Sequence, residues 1–320
     1  MKIVLLDGKT LGDDIDLSIF NSLGEFLKYE TTAKEEVKER IEDADVIITN
    51  KVLLNENNLP YAKKLKLICI AATGTNNVNL KYAKENGIAV TNVAGYSTTS
   101  VTENTFASLF YLLHNLSYYD NYIKSGQYSK SPIFTHLGMT YYELKGKTYG
   151  IIGLGQIGKA VANIAKAFGC NVIYYSTSGK NTDLKYKRAE LDELLKNSHI
   201  VSIHAPLNDA TNGLLNYKKM SLMRKDSILI NMGRGGIVVE EDLARILNED
   251  KIKGAALDVL TSEPINETNA LLKLKNPNKI LITPHIAWAS SEARVTLIQE
   301  IFKNIQKFFN EKNKNTKTIY

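Results

Sequence analysis

Three side chains of this 320-residue chain have the chemical types and the settings to move a proton beside a bound anion. Arg234 stands in Asn231-Met232-Gly233-Arg234-Gly235-Gly236, directly after the apolar run 228–230. Glu263 stands in Asp258-Val259-Leu260-Thr261-Ser262-Glu263-Pro264, and His285 in Thr283-Pro284-His285-Ile286-Ala287-Trp288. Each follows a strand-like run. An arginine at a strand's carboxyl end can grip a carboxylate through two parallel bonds. An imidazole trades a proton near neutral pH, and a neighbouring carboxylate holds its tautomer and favours its charged form. Taken singly, each has a plain structural reading: a surface arginine in a glycine turn, or a histidine packed among apolar residues. Three such groups past strands of one sheet are much more specific than any one.

A fourth stretch supplies the partner chemistry. Thr148-Tyr149-Gly150-Ile151-Ile152-Gly153-Leu154-Gly155-Gln156-Ile157-Gly158-Lys159 is an apolar strand running into G-x-G-x-x-G, with an amphipathic helix pattern behind it. Gly153 permits the tight turn, Gly155 lets a pyrophosphate approach the backbone, and Gly158 lets the helix pack close to the strand. The helix start, at Gln156 and Ile157, offers N–H groups and a positive dipole end to phosphates. The expected cofactor is NAD or NADP. With it, the three side chains suit one reaction. Arg234 would hold the carboxylate of a 2-oxo acid, and His285 would protonate the carbonyl oxygen as hydride arrives. Glu263 would keep His285 charged.

One position departs from an NAD-type site, which wants an acid at the end of the second strand. Here Asn171-Val172-Ile173-Tyr174-Tyr175 ends in Ser176-Thr177-Ser178-Gly179-Lys180, and Asp183 comes too late. Hydroxyls and Lys180 could hold a 2′-phosphate. Equally, Ser176 could bond the ribose of NAD and Lys180 could be a surface charge.

The elements that must carry these residues come in two series. In the first, the apolar runs 3–6, 46–48, 67–71 and 88–90 alternate with helical patterns over 33–41 and 80–86. In the second, six strands are expected: Thr148–Ile152, Asn171–Tyr175, 199–204, 227–231, 254–259 and 279–283. Strands separated by helices imply parallel sheets covered on both faces, with ligands at the carboxyl ends. Asn50, Lys51 and Thr73-Gly74-Thr75 fall at such ends in the first series. Ser100-Val101-Thr102-Glu103 reads as a capping box ahead of a buried helix over 106–116. Glu240, Glu241 and Asp242 suit a helix's first turn. Residues 118–147 are tyrosine-rich and aperiodic, either an arm over a partner subunit or a surface connection. A long helix is expected over 290–309, with a frayed polar tail beyond.

Composition excludes little but points one way. The chain is 44% hydrophobic and 23% charged, as globular proteins are. The net charge of +6 comes from dispersed lysines, with an excess at Lys303, Lys307, Lys312, Lys314 and Lys317. No aromatic-interleaved basic patch suggests nucleic acid. A positive surface also draws in anionic cofactors and substrates. Cys69 and Cys170 sit in or beside apolar runs and read as reduced thiols, with no metal site. No run reaches membrane-spanning length, and the first is too short for a signal peptide. A cytoplasmic protein is expected.

The chain resembles the D-isomer-specific 2-hydroxyacid dehydrogenases over essentially its whole length. The likeness rests on Gly153-Leu154-Gly155-Gln156-Ile157-Gly158, His204-Ala205-Pro206-Leu207, Asn231-Met232-Gly233-Arg234-Gly235, Asp258-Val259 with Glu263-Pro264, and Pro284-His285-Ile286-Ala287-Trp288. It implies an α/β fold of two doubly wound parallel-sheet domains. A Rossmann cofactor domain, residues 100–286, would be inserted into a flavodoxin-like substrate domain, residues 1–99 and 287–320. It implies a closing cleft, a homodimer, and Arg234, Glu263 and His285 as the catalytic set. It further implies cofactor contacts from Ser176, Thr177, Ser178, Lys180, His204, Ala205, Pro206, Thr211, Met232, Gly233, Arg234, Asp258, His285 and Ala287. Asp258 would lie near the nicotinamide. Substrate contacts are implied for Thr73, Gly74 and Thr75, with Asn50, Lys51, Arg234 and His285 beside them. The run Ala71-Ala72-Thr73-Gly74-Thr75-Asn76-Asn77-Val78 is most similar to the glycerate dehydrogenase/hydroxypyruvate reductase branch, so hydroxypyruvate or glyoxylate is the favoured substrate. Two other uses of the fold compete: a dinucleotide-sensing co-repressor, which needs no intact triad, and a formate dehydrogenase, for which no residue argues.

Overall fold

The computed structural model describes residues 1–310. The chain divides into two units, one of residues 1–97 with the C-terminal segment from 289, the other of residues 98–288.

The first unit opens with β1 (Lys2–Leu5) and β2 (Glu25–Lys28), then α1 (Val37–Ile41), β3 (Val46–Thr49), β4 (Leu67–Ile70), α2 (Leu80–Glu85) and β5 (Ala89–Thr91). The strands pair in the order β2-β1-β3-β4-β5, all parallel. This is the flavodoxin order. β3 and β4 are buried at every residue, because both sheet faces are covered and no polar alternation is needed. On one face Val4, Ile47, Ile68 and Val90 pack with Ile41 of α1 and Ala83 of α2. β2 had no counterpart among the expected strands. It is a sheet-edge strand, exposed at both ends, so it lacks the apolar run that marks the others.

The second unit holds α3 (Thr98–Leu113), α4 (Leu116–Lys124), β6 (Thr148–Ile152), α5 (Gln156–Ala167), β7 (Asn171–Tyr175), β8 (Lys187–Arg188), α6 (Leu191–Asn197), β9 (Ile200–Ile203), α7 (Tyr217–Met220), β10 (Ile228–Asn231), α8 (Glu240–Asn248), β11 (Gly254–Leu257) and β12 (Ile280–Ile282). Its sheet has seven parallel strands in the order β12-β11-β10-β9-β6-β7-β8. The chain steps outward from β6 to β8, then crosses to the other flank of β6 with β9. The β6/β9 boundary is therefore the topological switch point, and a ligand crevice belongs outside the carboxyl ends there. Six strands were expected; the seventh, β8, is two exposed polar residues.

Two boundaries differ from the sequence reading. α3 starts before Ser100, so Ser100 caps nothing; its hydroxyl donates to the Ala287 carbonyl at 2.6 Å. α3 also ends at Leu113, short of 116, where Asn115 turns left-handed at φ 54° and α4 begins. After residue 288 the chain returns to the first unit as α9 (Ser291–Asn310), which packs on β4. The expected frayed tail and Lys312, Lys314 and Lys317 lie outside the described residues. No helix among the described residues is long and apolar enough to cross a membrane.

Candidate active site

The turn between β6 and α5 follows from its glycines. Gly153 has φ +92°, and a Cβ there would stand 2.9 Å from the His204 carbonyl on the loop after β9. A Cβ on Gly158 would collide with the carbonyl oxygen of Gly153, so only glycine lets α5 lie this close to the strand. Gly155 is different: a Cβ there meets no protein atom within 4 Å. It is exposed, at the start of α5. The side chain is absent where a phosphate must approach the helix N-terminus, so the residues present fit a dinucleotide. Gly158→Ala is expected to lower thermal stability and to weaken dinucleotide binding by about tenfold or more, read by melting curves and titration, since an overpacked backbone contact costs about 1–3 kcal/mol.

Ser176, Thr177, Ser178 and Lys180 form the turn after β7, closed by the Gly179 N–H on the Ser176 carbonyl. Ser176 is buried, and its hydroxyl accepts from the Asn181 N–H at 3.3 Å. The Asn181 amide donates to the Leu154 carbonyl at 2.6 Å, tying this turn to the glycine loop. After β9, His204, Ala205 and Pro206 lead into a loop stapled by Thr211. The Thr211 hydroxyl donates to the Pro206 carbonyl at 2.7 Å and accepts from the Asn208 N–H at 2.9 Å. Any contact Thr211 makes with a ligand is thus through the loop it shapes.

His204 lies next to Ser202, Nε2 to Oγ 3.1 Å, while its Nδ1 is buried without a partner. Burial lowers its pKa to about 3, far below the ordinary value. The unfolded chain therefore takes up a proton below about pH 6.5 that the folded chain refuses until about pH 3, and stability falls as pH drops through that window. The loss at pH 5 is expected to be about 2 kcal/mol. The melting temperature should fall between pH 7.5 and pH 5 in the native protein and fall less in His204→Gln. Parallel plots of melting temperature against pH would remove His204 as the cause.

Arg234, Glu263 and His285 follow β10, β11 and β12, which are adjacent and parallel, so their carboxyl ends lie side by side. Arg234 follows β10. Asn231 brackets its turn: the side-chain carbonyl accepts from the Gly233 N–H at 3.0 Å, and the side-chain amide donates to the Arg234 carbonyl at 2.9 Å. Met232 and Gly233 are buried beneath it. The guanidinium is half-buried and donates one bond, to the Gly233 carbonyl at 2.8 Å.

Glu263 and His285 meet. His285 Nδ1 lies 2.7 Å from Glu263 Oε2, and the other carboxylate oxygen accepts from the Leu260 N–H at 2.9 Å. Glu240 steadies the approach to Glu263. Its carboxylate accepts from the Thr261 N–H and from the Asn269 amide, both at 2.6 Å. Sequence reading assigned Glu240 to the helix dipole alone; it is in fact buried under this loop.

His285 adopts φ 56°, a left-handed conformation uncommon outside glycine. Asp258 holds it there. The His285 N–H donates to the Asp258 carbonyl at 2.9 Å. The Asp258 carboxylate takes the Thr283 hydroxyl at 2.6 Å and the Ile286 and Ala287 N–H groups at 2.9 Å each. Burial raises the Asp258 pKa, opposed by these bonds. Three of its roughly four acceptor positions are thereby committed to the histidine turn.

The other sequence candidates lie in the first unit, past β3 and β4. Asn50 is buried, with its N–H on the Asp7 carboxylate and its amide on the Thr10 hydroxyl. The Lys51 N–H also goes to Asp7, at 2.6 Å. These backbone groups therefore hold the loop. Buried Asp7, which additionally accepts from Thr49 and Val52, is the organiser of this sheet end and went unmarked in the sequence reading. The Thr73 hydroxyl donates to the Val93 carbonyl, and the Thr73 carbonyl accepts from Asn92, fixing the turn that carries Gly74 and Thr75.

A doubly wound sheet with a phosphate turn at its switch point, and an imidazole–carboxylate pair beside an arginine on the same edge, defines a nicotinamide-dependent oxidoreductase. Residues 106–287 match the family model described as D-isomer specific 2-hydroxyacid dehydrogenase, NAD binding domain. The chain is 37% identical over 315 residues to a hydroxypyruvate reductase of Blautia hydrogenotrophica, covering 96% of this chain and 97% of the relative. It is 34% identical over 315 residues to a glycerate dehydrogenase of Methylorubrum extorquens, covering 98% of each. Among solved structures it is similar to an acyclic imino acid reductase in complex with NADPH and D-Arg, with a TM-score of 0.88, 30% identity and full coverage of both chains. The chain belongs to the D-2-hydroxyacid dehydrogenase family, in its glycerate dehydrogenase/hydroxypyruvate reductase branch. It is an NAD(P)-dependent oxidoreductase acting on the CH–OH group.

Proposed function

We propose that the protein reduces a small 2-oxo acid, hydroxypyruvate or glyoxylate first, to the D-2-hydroxy acid, with His285 as proton donor. The observation that carries this is the 2.7 Å contact between His285 Nδ1 and Glu263, whose far oxygen is anchored on the backbone. The bound dinucleotide supplies the hydride to the carbonyl carbon. Arg234 holds the substrate carboxylate and draws electron density from the carbonyl. His285 presents Nε2, gives its proton to the carbonyl oxygen, and regains one from water. Glu263 keeps the ring in one orientation and offsets its charge. Asp258 and Asn231 touch the turns that aim His285 and Arg234, and so position them. Thr73, Gly74 and Thr75 are assigned to the substrate carboxylate, and the 204–206 and 232–234 loops to the dinucleotide. The testing experiment is steady-state oxidation of NADH and NADPH against hydroxypyruvate, glyoxylate, pyruvate and a branched 2-oxo acid. Turnover with either of the first two is expected. Absence of turnover with all four, despite tight nucleotide binding, would favour the co-repressor reading.

The protein is further assigned to a homodimer. Residues 116–141 are folded on themselves: Tyr122 stacks on His136 at 3.8 Å, and the Tyr119 hydroxyl bonds both backbone groups of Met139. Yet Phe134 and Leu137 are 90% and 86% exposed, with Ile133 beside them. An ordered segment that presents large apolar side chains to water fits a covering partner, here a second copy. Light scattering is expected to give twice the chain mass of 35.7 kDa, and Phe134→Ser with Leu137→Ser a monomer. A monomeric native protein would end the assignment. Buried thiols at Cys69 and Cys170 suit a cytoplasmic setting.

A further inference from the structure

We infer that this chain is built to read the 2′-phosphate of NADP, and that Arg188 on β8 is the residue that reads it. The inference rests on the dinucleotide site proposed above and concerns the choice between its two ligands.

β7 ends at Tyr175, and the turn that follows carries hydroxyls and no carboxylate. β8 lies parallel to β7 with Arg188 paired to Tyr174. This register sets Arg188 beside the end of β7, nine residues on from Gly179 of the turn. One guanidinium nitrogen donates to the Gly179 carbonyl at 3.1 Å. That bond anchors the planar fork on the turn formed by Ser176, Thr177 and Ser178. Four of its five N–H donors remain for an incoming group.

The charge around the turn is one-sided. The nearest candidate acid, Asp183, is engaged elsewhere: its carboxylate pairs with Lys159 at 3.0 Å and accepts from the Lys185 N–H at 2.9 Å. Lys159 holds the Asp183 carboxyl below its usual range. Glu193 is paired with Lys187 at 2.9 Å. Lys185 bonds the Asn163 amide oxygen at 2.6 Å. Lys180 and Arg188 form no ion pair among the described residues. The outcome is a turn with two uncompensated cations and three hydroxyls.

A ribose diol needs an acceptor there, and none is offered by a side-chain carboxylate. A phosphate dianion needs donors and positive charge. The turn is also tied to its surroundings by hydrogen bonds. Asn181 bonds both Ser176 and the Leu154 carbonyl of the glycine loop. The Arg188 guanidinium, anchored on the Gly179 carbonyl, therefore stands on a turn that is tied to the glycine loop, which lowers the ordering cost left to binding.

The test is binding of the full chain to NADP+ and NAD+ by calorimetry, with 2′,5′-ADP and 5′-ADP as fragment probes. NADP+ is expected to bind at least about tenfold tighter than NAD+, and 2′,5′-ADP tighter than 5′-ADP, both gaps narrowing as salt rises. Arg188 is exposed, so Arg188→Ala should fold. It is expected to weaken NADP+ by about tenfold or more while NAD+ changes by less than about twofold. Lys180→Ala should do the same more weakly. NAD+ binding as tightly as NADP+, or Arg188→Ala weakening both alike, overturns the assignment and leaves the oxidoreductase reading intact. Failure of both dinucleotides to bind overturns the two readings together.

Discussion

His285→Ala is expected to lower kcat for 2-oxo acid reduction by about a hundredfold or more, with dinucleotide affinity within about threefold of native. The pairing of Nδ1 with Glu263 leaves Nε2 as the nitrogen able to give a proton. Alanine removes that proton and leaves water to supply it from an unpositioned source. A hundredfold loss is about 2.7 kcal/mol of transition-state stabilisation. Glu263→Gln should lose less, on the order of tenfold, because an amide oxygen can still orient the ring but carries no charge to offset the imidazolium. The two variants together separate the proton from its orientation. Steady-state kinetics with hydroxypyruvate, alongside calorimetric dinucleotide binding, reads both effects. Near-native kcat in His285→Ala would remove it as the acid, whatever Glu263→Gln does.

Much of this was legible because buried parallel strands carry their own signature. β3, β4, β9 and β10 are mostly apolar and buried at every residue, and the residues just past such runs fall at the ligand edge. Arg234 and His285 could therefore be placed from sequence. What stayed hidden depends on neighbours in space. β2 and β8 have no apolar run, and exist because a preformed edge supplies their hydrogen bonds. Asp7, Glu240 and Asn181 are ordinary polar residues until the fold brings distant backbone groups to them. Asn231 stood inside a recognised motif, but its part in shaping the arginine turn needs the two bonds of its side chain. Asp258 was expected as a ligand residue. Its carboxylate also holds the left-handed turn of His285, a role that no spacing rule encodes. Ser100 shows the reverse failure: the S-x-x-E pattern was present, but the helix had already begun.

Arg234→Ala is expected to lower kcat/KM by about a hundredfold or more, with a rise in KM as well as a fall in kcat. The split follows from two tasks. Holding the substrate carboxylate is an interaction present before and during reaction, so its loss appears in KM. Polarising the carbonyl grows as the oxygen gains charge, so its loss appears in kcat. Arg234→Lys should recover little of either. An ammonium keeps the charge but cannot make two parallel bonds, and the turn bracketed by Asn231 sets its reach for a planar fork. Asn231→Ala makes a useful contrast. It should leave the guanidinium present but loosen its turn, giving a smaller loss weighted towards kcat, because misplacement is felt most where geometry is tightest. Product-side inhibition by a non-reacting dicarboxylate supplies an independent reading of the grip: native protein should bind it, and Arg234→Ala should not. If Arg234→Lys retained full activity, the bidentate grip would be wrong and a simple point charge would suffice at that strand end.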